Sequence, residues 1–345
     1  MALPSLFNGT LFDRLAAWRF YAREKFRESV SVFDHLKAPR KVLIVPSDKP
    51  GGLLGASTFI QSVRQAYPQA DIRILVAEVR AHLAALIPFA DEVISGPLDA
   101  SLWSKKVKRL CSDLKSEQFD LVFCLGSDCS VRNAAVVGAS GGRLLIGFSR
   151  RDFQFFNFEL TGPHENRSER DEHRHMLSAI NVSYESSWRW SVPLGIVREK
   201  GFPLPDESAS RYLALDLADG SGQRWSNKQL DEILQHWLSK GFEPVILFSL
   251  AEDKKVRYLK KTHGQDLRMV DKRNGIDGAA FLQSCQGLVA LNTDYLHLAI
   301  AFGIPIVTRP HAEVNRWIDT VDKDLRELVS DSGGTALAEA LIRLQ

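Results

Sequence analysis

Short apolar runs alternate with helix-period stretches along most of the chain, and the alternation runs through twice. In the first series the runs at 41–45 (KVLIV), 72–76 (IRILV), 92–94, 121–124 and 144–148 read as strands. Helical stretches at 56–66, 80–86, 103–114 and 132–137 separate them. Strands that alternate with helices imply a parallel sheet covered on both faces. Residues 150–191 break the pattern with charge, aromatics and one helix around 169–180, and Pro193, Pro203 and Pro205 mark a linker. The second series has strands at 212–215, 244–248 (PVILF), 269–270, 288–291 and 306–308. Its helices fall at 228–238, 253–261, 279–284, 297–302 and 335–344. The chain therefore reads as α/β, with two Rossmann-like domains facing an interdomain cleft at the carboxyl ends of their strands. The expected boundaries are 1–38 for an N-terminal amphipathic helix, 39–192 for the first domain, 193–209 for the linker and 210–345 for the second.

The totals narrow the function classes. A chain of 345 residues with 45% hydrophobic and 25% charged residues has material for two real cores. A net charge of only +2 argues against a dedicated nucleic-acid binder. Cys111, Cys124, Cys129 and Cys285 match no zinc spacing and read as buried free thiols in a reducing compartment. No apolar stretch approaches a membrane span, and Asp13 and Arg14 interrupt what would be the core of a signal peptide, which points to the cytoplasm. At 5–36, Phe7, Leu11, Leu15, Trp18, Ala22, Phe26, Val30 and Phe33 recur at helical spacing beside Arg14, Arg19, Arg23, Lys25 and Arg27. Such a helix suits an anionic inner-membrane surface or packs on the body of the protein, and both readings stand.

The stretch ALNTDYLHLAIAFGIPIV, 290–307, puts Asn292, Thr293 and Asp294 between an apolar strand and a helix. Unpaired N–H groups at a helix N-terminus favour an anion, and His297 lies one turn beyond Thr293 on the same face. That arrangement fits a diphosphate. It also fits plain helix capping by Asn292, Thr293 or Asp294, the simpler role for such a triplet.

From 41 to the C-terminus the order of segments resembles the bacterial heptosyltransferases, family 9 of the glycosyltransferases. The segments are KVLIVPSDKPGGLLGASTFIQSVRQAYPQADIRILV, ADEVISG, FDLVFCLGSDCSVRNAAVVGASGGRLLIGF, ALDLADGSGQRWSNKQLDEIL, VILFSLAED and the 290–307 stretch. The resemblance implies a GT-B fold and metal-free, cofactor-free, inverting transfer from an ADP-heptose-like donor to lipopolysaccharide core or another envelope glycan. It implies donor contacts from Gly51, Gly52, Gln223, Arg224, Glu252, Asn292, Thr293, Asp294 and His297. Four positions, in three segments, depart from the family. Gly52 stands where the family has its aspartate base, Gln223 where it has a lysine near the phosphates, and Asn292 and Asp294 replace the aspartate and glycine of the last motif. A glycine side chain offers no lone pair for a proton, and loss of a lysine removes charge that would offset the departing diphosphate. Asp48, in the same loop as Gly52, is the replacement base expected here, with a plain turn residue as its competing role. Lys49, Arg150 and Arg151 are the expected acceptor contacts.

Three other segments carry chemistry-bearing residues. GPHENRSERDEHRHML holds His173 and His175, which diverge on a helix and cannot share a metal there. This segment reads as a charged loop and exposed helix, or as a border of the acceptor pocket. RRDFQFFNF (150–158) interleaves arginines with phenylalanines, whose expected role is packing of an edge strand. SSWRWSV places Trp188 and Trp190 on one face if extended. Two classes remain open at this level. One is an inverting glycosyltransferase at the cytoplasmic membrane face. The other is a catalytically impaired member of the same fold that binds nucleotide-sugars or serves as a scaffold.

Overall fold

The structure is a computed structural model. It describes residues 31–344 apart from Pro50, Asp128, 150–153, 162–167, 185–191, 193–198, 200–210, 221, 265–266, 274, 312–313, 315–320, 322 and 331–332. Most of the expected N-terminal helix, with Arg150, Arg151, Trp188, Trp190 and nearly all of the linker, lies outside these residues. Of the N-terminal stretch, Val32–Lys37 is a short helix, and Phe33 is 84% exposed.

The chain divides into two compact units, Met1–Ser187 and Trp188–Gln345. The first holds β1 (Lys41–Val45), β2 (Asp71–Ala77), β3 (Glu92–Gly96), β4 (Leu121–Cys124), β5 (Leu144–Phe148) and β6 (Phe158–Leu160). They form one parallel six-stranded sheet in the order β3-β2-β1-β4-β5-β6. β4 and β5 are buried along their whole length and β1 from Val42 on, which is why these strands read as unbroken apolar runs rather than alternating ones. Phe155 and Phe156 pack into this core just before β6, as the edge-strand reading expects.

The second unit holds β7 (Tyr212–Asp216), β8 (Glu243–Phe248), β9 (Arg268–Asp271), β10 (Gly287–Val289), β11 (Ile306–Thr308) and β12 (Arg326–Leu328). Its sheet is also parallel and six-stranded, in the order β12-β11-β10-β7-β8-β9. Read from its first strand outward, this is the same doubly wound topology as the first unit. In each sheet the strand order reverses at one point, between β1 and β4 and between β7 and β10. A crevice opens there beyond the carboxyl ends of the strands, the usual ligand site of such sheets.

Several boundaries differ from the sequence reading. The helix expected at 56–66 begins at Gly52 (Gly52–Ala66), because Gly51 caps it in the left-handed conformation at φ 78°. β6 and β12 each have three residues with a charged one in the middle, so neither presents an apolar run. All four cysteines are buried thiols, with Cys124 Sγ 2.9 Å from Cys129 Sγ. No helix among the described residues is long and apolar enough to cross a membrane.

Candidate functional site

In the second unit, β10 runs into a buried turn and then the helix Asp294–Phe302. Thr293 is the N-cap: its Oγ1 accepts from Leu296 N at 3.4 Å and donates to Asp216 Oδ2 at 2.7 Å. Asp216 ends β7, the strand beside β10, and is fully buried. A carboxylate there needs a partner. Lys272, just past β9, supplies it with Nζ 2.5 Å from Asp216 Oδ1. The same ammonium sits 5.4 Å from the centre of the Tyr295 ring. Asn292 and His297 are buried together, with His297 Nε2 3.2 Å from Asn292 Oδ1. The oxygen can only accept, so Nε2 carries the proton. Asn292, in place of the family's aspartate, thus orients His297. Asp294 opens the helix and is half-buried.

The loop after β7 closes over this turn. A side-chain carbon at Gly220 would lie 2.4 Å from Asn292 O, so only glycine lets the two backbones meet. Trp225 Nε1 donates to Asp216 O at 2.8 Å and Ala218 N to Asp216 Oδ1 at 3.1 Å. Gln223 Nε2 donates to Pro310 O at 3.1 Å, while its buried Oε1 has no partner among the described residues. Arg224 is exposed. Glu252 closes the turn after β8, its Oε2 accepting from Ser249 N at 2.6 Å and Ser249 Oγ at 2.7 Å. Gln223, Arg224, Glu252, Asn292 and Thr293 therefore stand on loops or turns at the carboxyl end of one sheet, and Asp294 and His297 in the first turn of the helix that follows. Asn292, Thr293 and His297 form its connected centre. The sequence reading missed Asp216 and Lys272. A signal was there for Asp216, a lone charge ending an apolar run, but Lys272 stands between the charged Asp271 and Arg273 and does not stand out.

In the first unit, the loop after β1 carries Asp48, which is exposed, and Lys49, which is half-buried with its backbone N 3.3 Å from Ser47 Oγ. At Gly52 a side-chain carbon would meet Ser47 O at 2.6 Å and Ser47 Cβ at 2.8 Å. The position where the family carries its aspartate is thus closed to any side chain by backbone. The helix Glu169–Ala179 packs against Gly52–Ala66, held at its start by a Ser168–Asp171 capping box. It is not the exposed helix expected from its composition. Glu172, His173, Met176 and Leu177 form a buried face. Glu172 accepts from Ser127 N at 2.9 Å and from Ser127 Oγ in the loop after β4. Burial lowers the His173 imidazole to about 4, so it is neutral at ordinary pH. Burial, reinforced by the Glu172 charge and opposed by Lys49 and Arg80, pushes the Glu169 carboxyl up to about 7. No group of three or more His, Cys, Asp or Glu side chains among the described residues is placed to hold a metal ion.

The E. coli ADP-heptose LPS heptosyltransferase II superposes with TM-score 0.69 at 14% identity, over 88% of this chain and 98% of that one. The E. coli heptosyltransferase WaaC with ADP gives TM-score 0.70 at 16% identity, over 88% and 100%. The chain has the heptosyltransferase fold. A curated Haemophilus influenzae protein described as "Putative glycosyltransferase" is 24% identical over 314 residues, covering 83% of this chain and 88% of that protein. No protein-family profile matches the chain. A structure from Listeria monocytogenes described as a "putative UDP-N-acetylglucosamine 2-epimerase" superposes less well, at TM-score 0.53 and 11% identity.

Proposed function

We propose that the chain is a glycosyltransferase of heptosyltransferase type. It takes a nucleotide-diphosphate sugar, ADP-heptose-like, and transfers the sugar with inversion to lipopolysaccharide core or a related envelope glycan. Its place of action on this reading is the cytoplasmic face of the inner membrane, through the basic aromatic N-terminal stretch. The observation that carries the proposal is the buried Asn292–Thr293–His297 turn at the strand-order reversal of the second sheet. There the N-terminus of a nine-residue helix, with its partial positive charge, suits a diphosphate. Lys272, joined through Asp216 to Thr293, supplies a cation in the unit that lacks one at Gln223. The heptosyltransferase WaaC, which shares the fold, was solved with ADP and with an ADP-2-deoxy-2-fluoro heptose.

Inverting transfer asks two things of the protein. One group must take the proton of the acceptor hydroxyl, and others must stabilise the departing diphosphate. The second unit answers the second need with Thr293, His297 and the helix N-terminus. In the first unit the loop after β1 offers Asp48 as a candidate base and Lys49 as a candidate acceptor contact, and Gly52 contributes no side chain. The competing reading, a binding or scaffold protein that has lost catalysis, is favoured by the closure of position 52 against Ser47. An assay separates the two. The full chain is incubated with a panel of nucleotide-sugars and envelope glycan, and both nucleoside diphosphate release and the mass of the glycan are followed. Transfer should raise the glycan by one sugar residue per diphosphate released. Binding of nucleotide-sugar with no release from any donor would leave the scaffold reading.

A further inference from the structure

Resting on that transferase reading, we infer that Glu169, rather than a residue of the loop after β1, takes the proton of the acceptor hydroxyl, with His173 as its positioning residue. The observations are geometric. The strand-order reversal of the first sheet lies between β1 and β4, and the helix Glu169–Ala179 is fastened over that end of the sheet. Glu172 ties it to the loop after β4 through Ser127, and its packing on Gly52–Ala66 ties it to the element that follows β1. This puts Glu169 over the first turn of Gly52–Ala66, where a side-chain carbon at Gly55 would lie 3.7 Å from Glu169 Oε2.

The two side chains have unspent hydrogen-bonding capacity. Glu169 Oε1 is a buried oxygen with no hydrogen-bond partner among the described residues, and His173 Nε2, on a side chain 1% exposed, is a buried nitrogen with none. They stand 4.0 Å apart, too far to bond each other. Buried polar atoms left this way ask for a third group, and a hydroxyl can bond to both. Glu172, one residue before His173, has its carboxylate taken by Ser127, so it does not compete for that role. Asp48, by contrast, is exposed.

The groups that act electrically on Glu169 are Glu172 on its own helix, Lys49 in the loop after β1 and Arg80 at the end of the turn Glu78–Arg80. His173, on the same helix, is neutral, and the first turn of Gly52–Ala66 offers no ionisable side chain. With its carboxyl pushed up to about 7, Glu169 is half-ionised near neutrality and basic enough to accept a proton. In the step itself the acceptor oxygen bonds to the anomeric carbon while the bond from that carbon to the diphosphate breaks. The electron pair leaves with the diphosphate, and the hydroxyl proton moves to Glu169.

The experiment compares wild type, Glu169→Gln, Glu169→Asp and His173→Ala in the transfer assay from pH 5.5 to 9. ADP dissociation constants are measured alongside. Wild-type kcat should rise with pH through an apparent pKa near 7. Glu169→Gln should lose about 100-fold or more in kcat, with no recovery at high pH and unchanged ADP binding. Glu169→Asp should keep part of the rate, and His173→Ala should move the pKa of the limb while binding ADP normally. Glu169→Gln within threefold of wild type, or with its pH limb intact, overturns the assignment while the transferase reading stands. Wild type that transfers from no donor overturns both.

Discussion

Gly52 cannot be returned to the family's aspartate by substitution, because Ser47 O occupies the space its side chain needs. Gly52→Asp should destabilise the fold by about 1–3 kcal/mol, the usual range for overpacking, and should bring no gain in turnover. Denaturant unfolding with a parallel rate measurement checks both, and a stable, faster variant would show that the loop simply relaxes. Glu169 makes a second prediction through its titration. Its folded-state value, about 7, lies above the ordinary 4.5, so its stabilisation is full below 4.5 and lost as pH rises through about 7. His173 runs the other way: its stabilisation is present above 6.5 and lost as pH falls through about 4. Glu169→Gln should therefore gain on wild type between pH 5 and pH 8, by about 1–2 kcal/mol once its partial exposure is allowed for. Melting curves at the two pH values measure that difference, and equal differences at both would mean Glu169 titrates normally.

Among the elements, the helix Asp294–Phe302 begins at a residue with two structural roles. Thr293 caps the helix and also completes the shell of a buried aspartate. Thr293→Val should cost about 1–3 kcal/mol, since it leaves Asp216 Oδ2 and Leu296 N without their partner, whereas Thr293→Ser should cost little. Equilibrium unfolding of the two variants decides, and a loss in Thr293→Ser with little in Thr293→Val would point to the methyl group instead. The position of this helix was legible in the sequence, because an apolar run, a polar triplet and a helical period follow one another at 287–302. The pairing of Asp216 with Lys272 was not, since the two come together only when β7 and β9 lie on either side of β8. The burial of Glu169–Ala179 was hidden for a related reason. Its sequence, ERDEHRHMLSA, is mostly charged, and only its packing on Gly52–Ala66 shows which side chains face inward.

At the level of the whole molecule, one topology occurs twice along the chain, and that doubling could be read from the alternation of apolar runs before any contact was known. The edge strands β6 and β12 could not, because three residues with a central charge carry no periodic signal. What the doubling leaves to chemistry is which sheet end holds the nucleotide. We place it on the second unit, at the turn of Asn292, Thr293 and His297. The decisive experiment is a thermal-shift titration of the full chain with ADP, UDP, AMP and adenosine, repeated with His297→Ala. A nucleoside diphosphate at one hundred times its dissociation constant should stabilise the wild type by about 2.7 kcal/mol, seen as a rise of several degrees in Tm. AMP and adenosine should do much less. His297→Ala should melt near wild type when unliganded and lose most of the rise. No shift with any nucleoside diphosphate, or an undiminished shift in His297→Ala, would remove the nucleotide from this turn.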